Sequence, residues 1–338
     1  MLVLKFISFL VLINYTLQIK FKEDPKLISE NSIKNLKKIS KYKVIEYQKH
    51  PFKDYTTSQI ANLFGVKDMD PLSFKIRKKG PKRSLLDATG DSTTPTSIIN
   101  SENNLYGSVA ITSTILPLNY MVTENYPNCG SFVKNQGRCA SCYALAISEA
   151  LEDRICVKTN MQTKVTLSSQ LIISCDRNSF GCQGGYLDKT FEFLNLYGSV
   201  TESCFPYTSG LNGIVPKCPS RCNNGSPFFF YRSQTHYTFR NSAEMKNDIF
   251  NNGPIIAGFA VFNDFLSYSS GVYKLTPGAT YLGGHAVKVI GWGIENGEEF
   301  WICKNSWGTG WGEGGFFRFA MNHCCGFESN GFAALPMI

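Results

Sequence analysis

The sequence lacks the features that identify several common classes of protein. Among its 338 residues there are only 4 histidines, and they form no pair at metal-ligand spacing. Past the N-terminus, no run approaches the roughly 18 apolar residues that cross a bilayer. The glycine-rich run 181–185 has neither the Lys-Ser/Thr of a phosphate loop nor a dinucleotide-binding pattern. We therefore expect no metal, no cofactor and no membrane-spanning segment in the mature protein.

Net charge is absent from the last two thirds of the chain. Residues 1–115 contain 18 lysines and arginines against 10 acidic residues, whereas residues 116–338 contain 16 of each. The formal charge of +8 therefore belongs to the N-terminal third. A basic balance confined to that third, without a recognition motif, does not indicate a protein that binds nucleic acid. Lysines in such a pattern are typical of a solvated, partly helical surface.

The N-terminus carries an apolar stretch that is too short to span a membrane. Residues 1–17 contain one lysine followed by the apolar run 6–13, which is typical of a secretory signal peptide. A buried N-terminal helix or strand is the alternative interpretation, and no small-x-small site marks a cleavage point. We expect residues 1–17 to be removed. The mature protein would then lie in the secretory pathway, in a lysosome-like vacuole or outside the cell.

Cysteine is missing before residue 129, and all 12 cysteines lie in 129–325. This density, downstream of a predicted signal peptide, indicates an oxidising compartment and a framework of disulfides. Zinc binding is the competing interpretation, because Cys139 and Cys142, like Cys218 and Cys222, have ligand-like spacing. The absence of paired histidines disfavours it. Sequence alone leaves the pairing of the cysteines open.

Four residues far apart in the sequence supply the groups that thiol acyl transfer requires. Cys142 offers a thiolate nucleophile, and His285 an imidazole that keeps the sulfur deprotonated and carries the proton. Asn305 offers an amide that holds the imidazole in one tautomer. Gln136, six residues before the cysteine, offers a side-chain amide that can donate a hydrogen bond to the oxyanion. We therefore predict that these four residues are catalytic.

Each of them also has an ordinary structural interpretation. Cys142 would by default be a disulfide cysteine in a secreted protein, and His285 a buried structural histidine. Asn305 suits a turn, and a surface glutamine such as Gln136 is commonplace. The position of Cys142 at the start of a predicted helix favours the nucleophile, and the helix dipole would lower its pKa. The glycines before His285 allow a substrate backbone to approach closely.

The motifs around these residues resemble those of the papain-like cysteine peptidases, most closely the cathepsin B branch. The resemblance covers residues 116–338 and rests on phrases such as Tyr126-Pro127-Asn128-Cys129, Asp153-Arg154-Ile155-Cys156, Ser270-Gly271-Val272-Tyr273 and His285-Ala286-Val287-Lys288. His285 follows Cys142 by 143 residues, which fits the roughly 130–150 residues typical of the family, and Asn305 lies slightly beyond. The resemblance implies an α+β papain-like fold with a helical lobe, a β-barrel-like lobe and the active-site cleft between them.

Local patterns agree with this architecture and suggest what precedes it. Residues 144–152 have apolar positions every three to four residues and predict a helix, whereas 255–262, 287–292 and 316–319 predict strands. Apolar residues at nearly helical spacing in 20–50 predict a marginal amphipathic helix that needs a surface to pack on. The segment 55–66 resembles the inhibitory propeptide segment of such peptidases. We therefore expect a propeptide at 18–84, a Ser/Thr-rich linker at 85–115 and the peptidase domain at 116–338.

The resemblance also assigns binding residues and disulfides. Gly184 and Gly185 would form the wall that pairs with an extended substrate, Gly284 would add a main-chain contact, and Trp307 would shield the His285–Asn305 hydrogen bond. The implied disulfides are Cys129–Cys156, Cys139–Cys182, Cys175–Cys218 and Cys204–Cys222. Cys303, Cys324 and Cys325 are left unassigned, and the adjacent pair Cys324–Cys325 is not expected to bond, because such a bond would be strained.

Several positions depart from the family's pattern. Ala140 and Tyr143 replace the usual Gly and Trp, which affects rate and cleft width more than activity. In cathepsin B an inserted loop with two histidines binds the substrate carboxylate, but 205–217 is short and contains no histidine. Asn330 stands where cathepsin B has an acid at the floor of the S2 pocket. We therefore expect an endopeptidase without carboxydipeptidase activity that disfavours Arg at P2.

The expected partners are peptide or protein substrates and the chain's own propeptide as inhibitor, with no nucleic acid, no membrane after signal removal and a monomeric state. Two other classes of function are alternatives. A non-catalytic relative would have lost Cys142, His285 or Asn305, and none is lost. An N-terminal inhibitor module with independent function is suggested by the basic N-terminal third. The leading hypothesis is a secreted cysteine peptidase zymogen.

Overall fold

The structure, a computed structural model, describes residues 25–69 and 116–338. The expected signal peptide, the expected linker and the parts 18–24 and 70–84 of the expected propeptide lie outside the described residues. The helices are α1 (Glu30–Ile39), α2 (Thr57–Ala61), α3 (Val122–Asn125), α4 (Cys142–Lys158), α5 (Ser169–Cys175), α6 (Leu187–Leu196), α7 (Ser209–Asn212) and α8 (Ser242–Asn252). The strands are β1 (Lys43–Val44), β2 (Tyr120–Met121), β3 (Arg232–Ser233), β4 (Tyr237–Thr238), β5 (Ile255–Phe262), β6 (Tyr268–Ser270), β7 (Val272–Tyr273), β8 (Tyr281–Glu295), β9 (Glu298–Lys304), β10 (Phe316–Ala320), β11 (Gly331–Ala333) and β12 (Pro336–Met337).

An eight-stranded sheet organises the C-terminal half of the chain. Its strands lie in the order β4-β11-β5-β8-β9-β10-β7, and β2 pairs with β8 off this path. Strand β5 reads as a continuous apolar run because both of its faces are covered. Ile256 packs in the core of the helical lobe, whereas Phe259 packs in the aromatic core of the β lobe. The strands predicted at 255–262, 287–292 and 316–319 are thus present, within β5, β8 and β10.

Helix α4 is the centre of the helical lobe and begins at the proposed nucleophile. It is the helix predicted for 144–152, but it is longer, with 17 residues, and is buried from Cys142 to Val157. Acidic residues on a helix this buried need partners, because an unpaired buried charge is costly. Asp153 pairs with Lys288 of β8, and Glu149 pairs with Lys304 of β9. These ion pairs join the two lobes. No described helix is long and apolar enough to cross a membrane.

The disulfides match the implied set and add one bond. Cys129–Cys156, Cys139–Cys182, Cys175–Cys218 and Cys204–Cys222 are all formed. The expectation that Cys324 and Cys325 stay unbonded is wrong, because the structure joins them. Cys325 adopts a left-handed backbone conformation, with φ of 70°, which brings the adjacent sulfurs together. Cys142 and Cys303 are the remaining free thiols, and both are buried.

Residues 25–69, called the pro-segment below, pack along the β lobe and then through the cleft. Helix α1 begins after a capping box at Ser29 and ends at Ile39. The helix predicted from the apolar spacing in 20–50 is therefore shorter than that range. Tyr42 leaves the helix and donates its hydroxyl hydrogen to Asp264, and β1 then pairs antiparallel with β6. The marginal helix thus gains the packing surface that it was expected to need.

Candidate active site

The thiol of Cys142 lies at the first residue of α4, in a loop that is fixed from several sides. The disulfide Cys139–Cys182 holds the chain three residues before it. The Ser141 hydroxyl lies 2.7 Å from the hydroxyl of Tyr207, which also donates to the carbonyl of Gln136 at 2.7 Å. These contacts fix where the sulfur stands before any substrate arrives.

His285 lies on β8, where one ring nitrogen is held by Asn305. Its Nε2 is 2.8 Å from Oδ1 of Asn305, and the same oxygen accepts the backbone N–H of Ser306 at 2.8 Å. Because that oxygen accepts, Nε2 must carry the proton, which leaves the lone pair on Nδ1. The indole of Trp307 lies over the ring, with 4.8 Å between ring centroids, and is itself buried. The ring is therefore held in the tautomer that suits a general base at Nδ1.

Gln136 directs its side-chain amide to a carbonyl of the pro-segment in the cleft. Its Nε2 donates to the carbonyl of Asn62 of the pro-segment at 3.2 Å and to that of Cys139 at 3.1 Å. Its Oε1 accepts the Ser306 hydroxyl at 2.7 Å, which fixes the orientation of the amide. A preoriented N–H donor beside the thiol is what stabilisation of an oxyanion requires.

Burial under the pro-segment sets the protonation of the pair. Burial raises the pKa of Cys142 to about 11, against smaller lowering effects from the backbone amides of Ala286, Gly65 and Tyr143. Burial also lowers the pKa of His285 to about 4, against smaller raising effects from Asn305 and the Leu63 backbone. The backbone amides at the start of α4 lower the pKa of Cys142, as expected there, but desolvation outweighs them in this state. Burial thus favours the neutral form of both groups.

Backbone hydrogen bonds hold the pro-segment against both walls of the cleft. Gly185 donates to the carbonyl of Gly65 at 2.7 Å and accepts from Lys67 at 3.0 Å. From the other wall, the carbonyl of Gly284 accepts the N–H of Val66 at 3.0 Å. A methyl group at Gly184 would lie 2.6 Å from the Gly65 carbonyl oxygen, so only glycine permits this approach. The three glycines named from sequence thus line the path of an extended chain.

A side pocket of the cleft holds the side chain of Met69. A methyl group added at Gly258 would lie 2.6 Å from Met69 Cε, 3.0 Å from Leu187 Cδ1 and 3.7 Å from Asn330 Cβ. The same Met69 side chain would touch a methyl group at Gly284 at 2.6 Å. Asn330 donates its amide hydrogen to the Gly326 carbonyl at 2.8 Å. The structure therefore brings Asn330 to a pocket that an apolar side chain fills.

The short loop 205–217 lies beside Gln136. It includes the single-turn helix α7, and the carbonyl of Gly210 accepts the N–H of Arg138 at 2.9 Å. Leu211 and Ile214 of this loop are exposed. Next to the oxyanion donor, the loop thus presents apolar and backbone groups, and its single charged residue is the exposed Lys217.

Sequence reasoning missed several residues that shape the site. Ser306, which orients Gln136, lies between Asn305 and Trp307, two residues that the sequence did identify. Gly65 is the one glycine in the segment 55–66 and offered a signal for close approach to the thiol. Tyr207 and Met69 carry no local signal, because their roles depend on contacts with residues far away in the sequence.

Comparison with known proteins agrees with this geometry. Residues 124–335 match the sequence model of a family described as papain family cysteine protease. "Cathepsin B-like CP3" of Giardia intestinalis is 36% identical over 222 residues, which cover 64% of this chain and 74% of that protein. "Cathepsin B" of Dictyostelium discoideum is 35% identical over 237 residues, which cover 65% and 75% respectively. The solved structure "proCathepsin B S9 from Trypanosoma congolense" gives a TM-score of 0.75 at 25% identity and covers 93% of this chain and 100% of that chain.

Proposed function

Because this chain belongs to the papain family of cysteine proteases and is cathepsin B-like, we propose that it is a secretory zymogen of a cysteine endopeptidase. The proposal assigns nucleophilic attack to Cys142, proton transfer to His285, orientation of the ring to Asn305 and the oxyanion to Gln136. The observation that carries it is the cleft itself. There a buried thiol, an oriented imidazole and an amide donor face one backbone held in extended form.

The reaction proceeds once the pro-segment has left. The Cys142 thiol passes its proton to Nδ1 of His285, and the thiolate attacks the carbonyl carbon of the scissile bond. Gln136 Nε2 stabilises the oxyanion, and His285 donates the proton to the departing amine, which leaves an acyl-thioester. Water then gives a proton to His285 and attacks the thioester, which releases the acid and restores the thiol. Asn305 keeps the imidazole in register throughout.

The pro-segment is proposed to inhibit because it runs through the cleft in the wrong direction. A substrate residue that exchanges both backbone hydrogen bonds with Gly185 forms an antiparallel pair. Residue 66 instead bridges Gly185 in the parallel sense, through Gly65 and Lys67 on either side. Its peptide bonds are therefore presented to Cys142 in reverse, which supports binding without cleavage. We assign this inhibitory role to a propeptide of 18–84, with a signal peptide at 1–17, a linker at 85–115 and the enzyme at 116–338.

Endopeptidase action is expected because the loop beside Gln136 lacks the paired histidines that would bind a C-terminal carboxylate. The loop 205–217 contains no histidine, and its exposed residues near Gln136 include Leu211 and Ile214. The test compares one peptide with a free or an amidated C-terminus, digested by the mature enzyme and analysed by mass spectrometry. We expect cleavage at internal bonds, with kcat/KM values for the two forms within about twofold, since the loop supplies no imidazolium to pair with the carboxylate. Sequential release of C-terminal dipeptides from the free acid alone would contradict this proposal.

The pocket that holds Met69 is proposed to be S2 and to prefer apolar P2 side chains. Asn330 offers an amide but no charge, so a P2 guanidinium loses its solvation without gaining an ion pair. We expect a fluorogenic Phe-Arg dipeptide to be hydrolysed with a clearly higher kcat/KM than Arg-Arg. Asn330→Glu should raise kcat/KM for Arg-Arg by about tenfold, the value of a charged over a neutral hydrogen bond. Asn330→Gln is the matched control, since glutamine has the size of glutamate without its charge. Equal gains in kcat/KM for Arg-Arg in both variants would exclude the assignment.

The proposal includes the cellular compartment of the protein. Five disulfides in the described residues suit an oxidising compartment, which supports passage through the secretory pathway to a lysosome-like vacuole or the exterior. Substrates are proposed to be peptides or unfolded stretches of proteins, because the cleft binds an extended backbone. The enzyme is proposed to act as a monomer.

A further inference from the structure

The turn before Asn330 begins with two adjacent cysteines that are joined to each other. Cys324 is partly exposed, Cys325 is buried, and their sulfurs form a disulfide. The backbones of Cys325 and Gly326 are both left-handed, with φ of 70° and 74°. Glycine adopts that conformation freely, but a residue with a side chain rarely does, so Cys325 needs a constraint. The small ring closed by the disulfide, which includes the peptide bond between the two cysteines, supplies one.

This constrained turn is connected directly to the proposed S2 pocket. The carbonyl of Cys325 accepts the N–H of Ala260 on β5 at 2.9 Å. The next carbonyl, that of Gly326, accepts the amide of Asn330 at 2.8 Å and the hydroxyl of Ser329 at 3.1 Å. Asn330 Cβ in turn lies beside Gly258, two residues before Ala260 on the same strand. The peptide adjacent to the disulfide therefore holds the side chain at the pocket floor.

The rest of the turn is anchored independently. Phe327 is fully buried and stacks on Phe319, with 4.6 Å between ring centroids. Glu328 accepts the indole N–H of Trp301 at 2.9 Å and the backbone N–H of Asn322 at 2.8 Å. These contacts do not involve the sulfurs. Loss of the disulfide would therefore leave the Cys325–Gly326 peptide held by the Ala260 N–H without the constraint of the ring, while the remainder of the turn stays in place.

We infer that the Cys324–Cys325 disulfide is a positioning element for P2 specificity. The disulfide fixes the position of the Gly326 carbonyl, and this carbonyl holds the Asn330 amide. The position of the Asn330 side chain then sets the depth of the pocket. The inference rests on the proposed function, because it concerns the S2 pocket of that peptidase. Cys142, His285 and Gln136 have no contact with this turn among the hydrogen bonds described above. The bond therefore acts on selection among substrates and not on the chemical step.

The first test is Cys324→Ala, made in the full chain and measured after processing to the mature enzyme. This variant breaks the bond but leaves the buried sulfur of Cys325 in the core. A series of blocked dipeptide amides with P1 Arg and P2 Val, Leu, Phe or Met reports the pocket. We expect the spread of kcat/KM across the series to shrink by about threefold or more, mainly through KM. The rate at which iodoacetamide alkylates Cys142 should stay unchanged, because that reagent has no P2 group.

A double-mutant cycle separates positioning from general stability. In an Asn330→Ala background the amide that the disulfide holds is gone, so Cys324→Ala should no longer alter the P2 series. If Cys324→Ala changes the series equally in both backgrounds, the disulfide does not act through Asn330. If it lowers only the thermal unfolding temperature and leaves the series within about 1.5-fold of wild type, the bond is structural and the inference fails.

The wild-type protein provides a second test that requires no variant. Dithiothreitol transfers two electrons and two protons to the bond, which yields two thiols while the reagent closes to its own disulfide. The ratio of kcat/KM for P2 Phe over P2 Val cancels any change in the active fraction, and mass spectrometry of the alkylated peptide measures how much bond is reduced. The ratio should fall in proportion to reduction, and a constant ratio across full reduction overturns the inference. Absence of alkylation and turnover in the unreduced and reduced wild type would instead count against the proposed function.

Discussion

Replacement of Cys142 by serine is expected to lower kcat of the mature enzyme on the order of 10⁴-fold or more. The hydroxyl of serine stays protonated at neutral and acidic pH, whereas a thiol paired with His285 reaches the thiolate easily. The substitution changes one buried atom at the start of α4, so the fold should persist. The measurement is hydrolysis of a Phe-Arg fluorogenic dipeptide at matched protein concentration, with thermal unfolding of both proteins as the check on folding.

Cys303→Ala is the matched control, since Cys303 is the other free and buried cysteine of the described residues. It lies on β9 opposite Val289 and makes none of the hydrogen bonds that hold His285, Asn305 and Gln136. Its loss should lower the thermal unfolding temperature through a small cavity but leave kcat/KM within a few fold. Near wild-type hydrolysis by Cys142→Ser, or equal losses in both variants, would remove Cys142 as the nucleophile.

The sequence predicted those parts of the molecule in which neighbouring residues determine the conformation. The apolar run of β5 and the uninterrupted pattern after Cys142 identified a strand and a helix without knowledge of their packing. The cleft residues were identified because thiol chemistry needs a fixed set of groups. The four disulfide pairs followed only from resemblance, because spacing alone does not select among pairings.

Other features depend on contacts between distant residues and could not be predicted in this way. Periodicity on α4 places Glu149 and Asp153 on the less apolar side, which suggests exposure to solvent. The structure buries both, because Lys304 and Lys288 reach them from β9 and β8. The pKa of Cys142 is a further case. A helix start lowers it, but burial beneath the pro-segment, whose Gly65 lies against the sulfur, raises it by more. The rule that a helix start lowers the pKa of a cysteine does not give the net shift here, because a segment 77 residues earlier in the sequence determines the surroundings of Cys142.

Inhibition by the pro-segment should depend steeply on the absence of a side chain at Gly65. A methyl group there would lie 2.1 Å from the Ala140 carbonyl oxygen and 3.0 Å from the Cys142 sulfur, and the first of these is backbone that cannot turn aside. The chain must then lift from the cleft and lose the hydrogen bonds to Gly185 and Gly284. When residues 18–84 are added in trans to mature enzyme, we expect Gly65→Ala to raise Ki by about 100-fold or more.

Ala61→Leu is the matched control for added bulk, because residue 61 ends α2 with its side chain exposed. It should inhibit like the wild-type pro-segment, and equal Ki values for all three would refute the proposed path through the cleft.

The same inhibition assay, repeated over a range of pH, tests the linkage of inhibition to protonation. Burial in the complex lowers the pKa values of His285 and His50 to about 4, from ordinary values near 6.5. The free partners therefore bind more protons, so inhibition should be complete above about pH 6.5 and weaken progressively as the pH falls towards 4. His50→Gln keeps a polar group near Ser267 without that titration and should flatten the slope, because one of the two protons is no longer taken up.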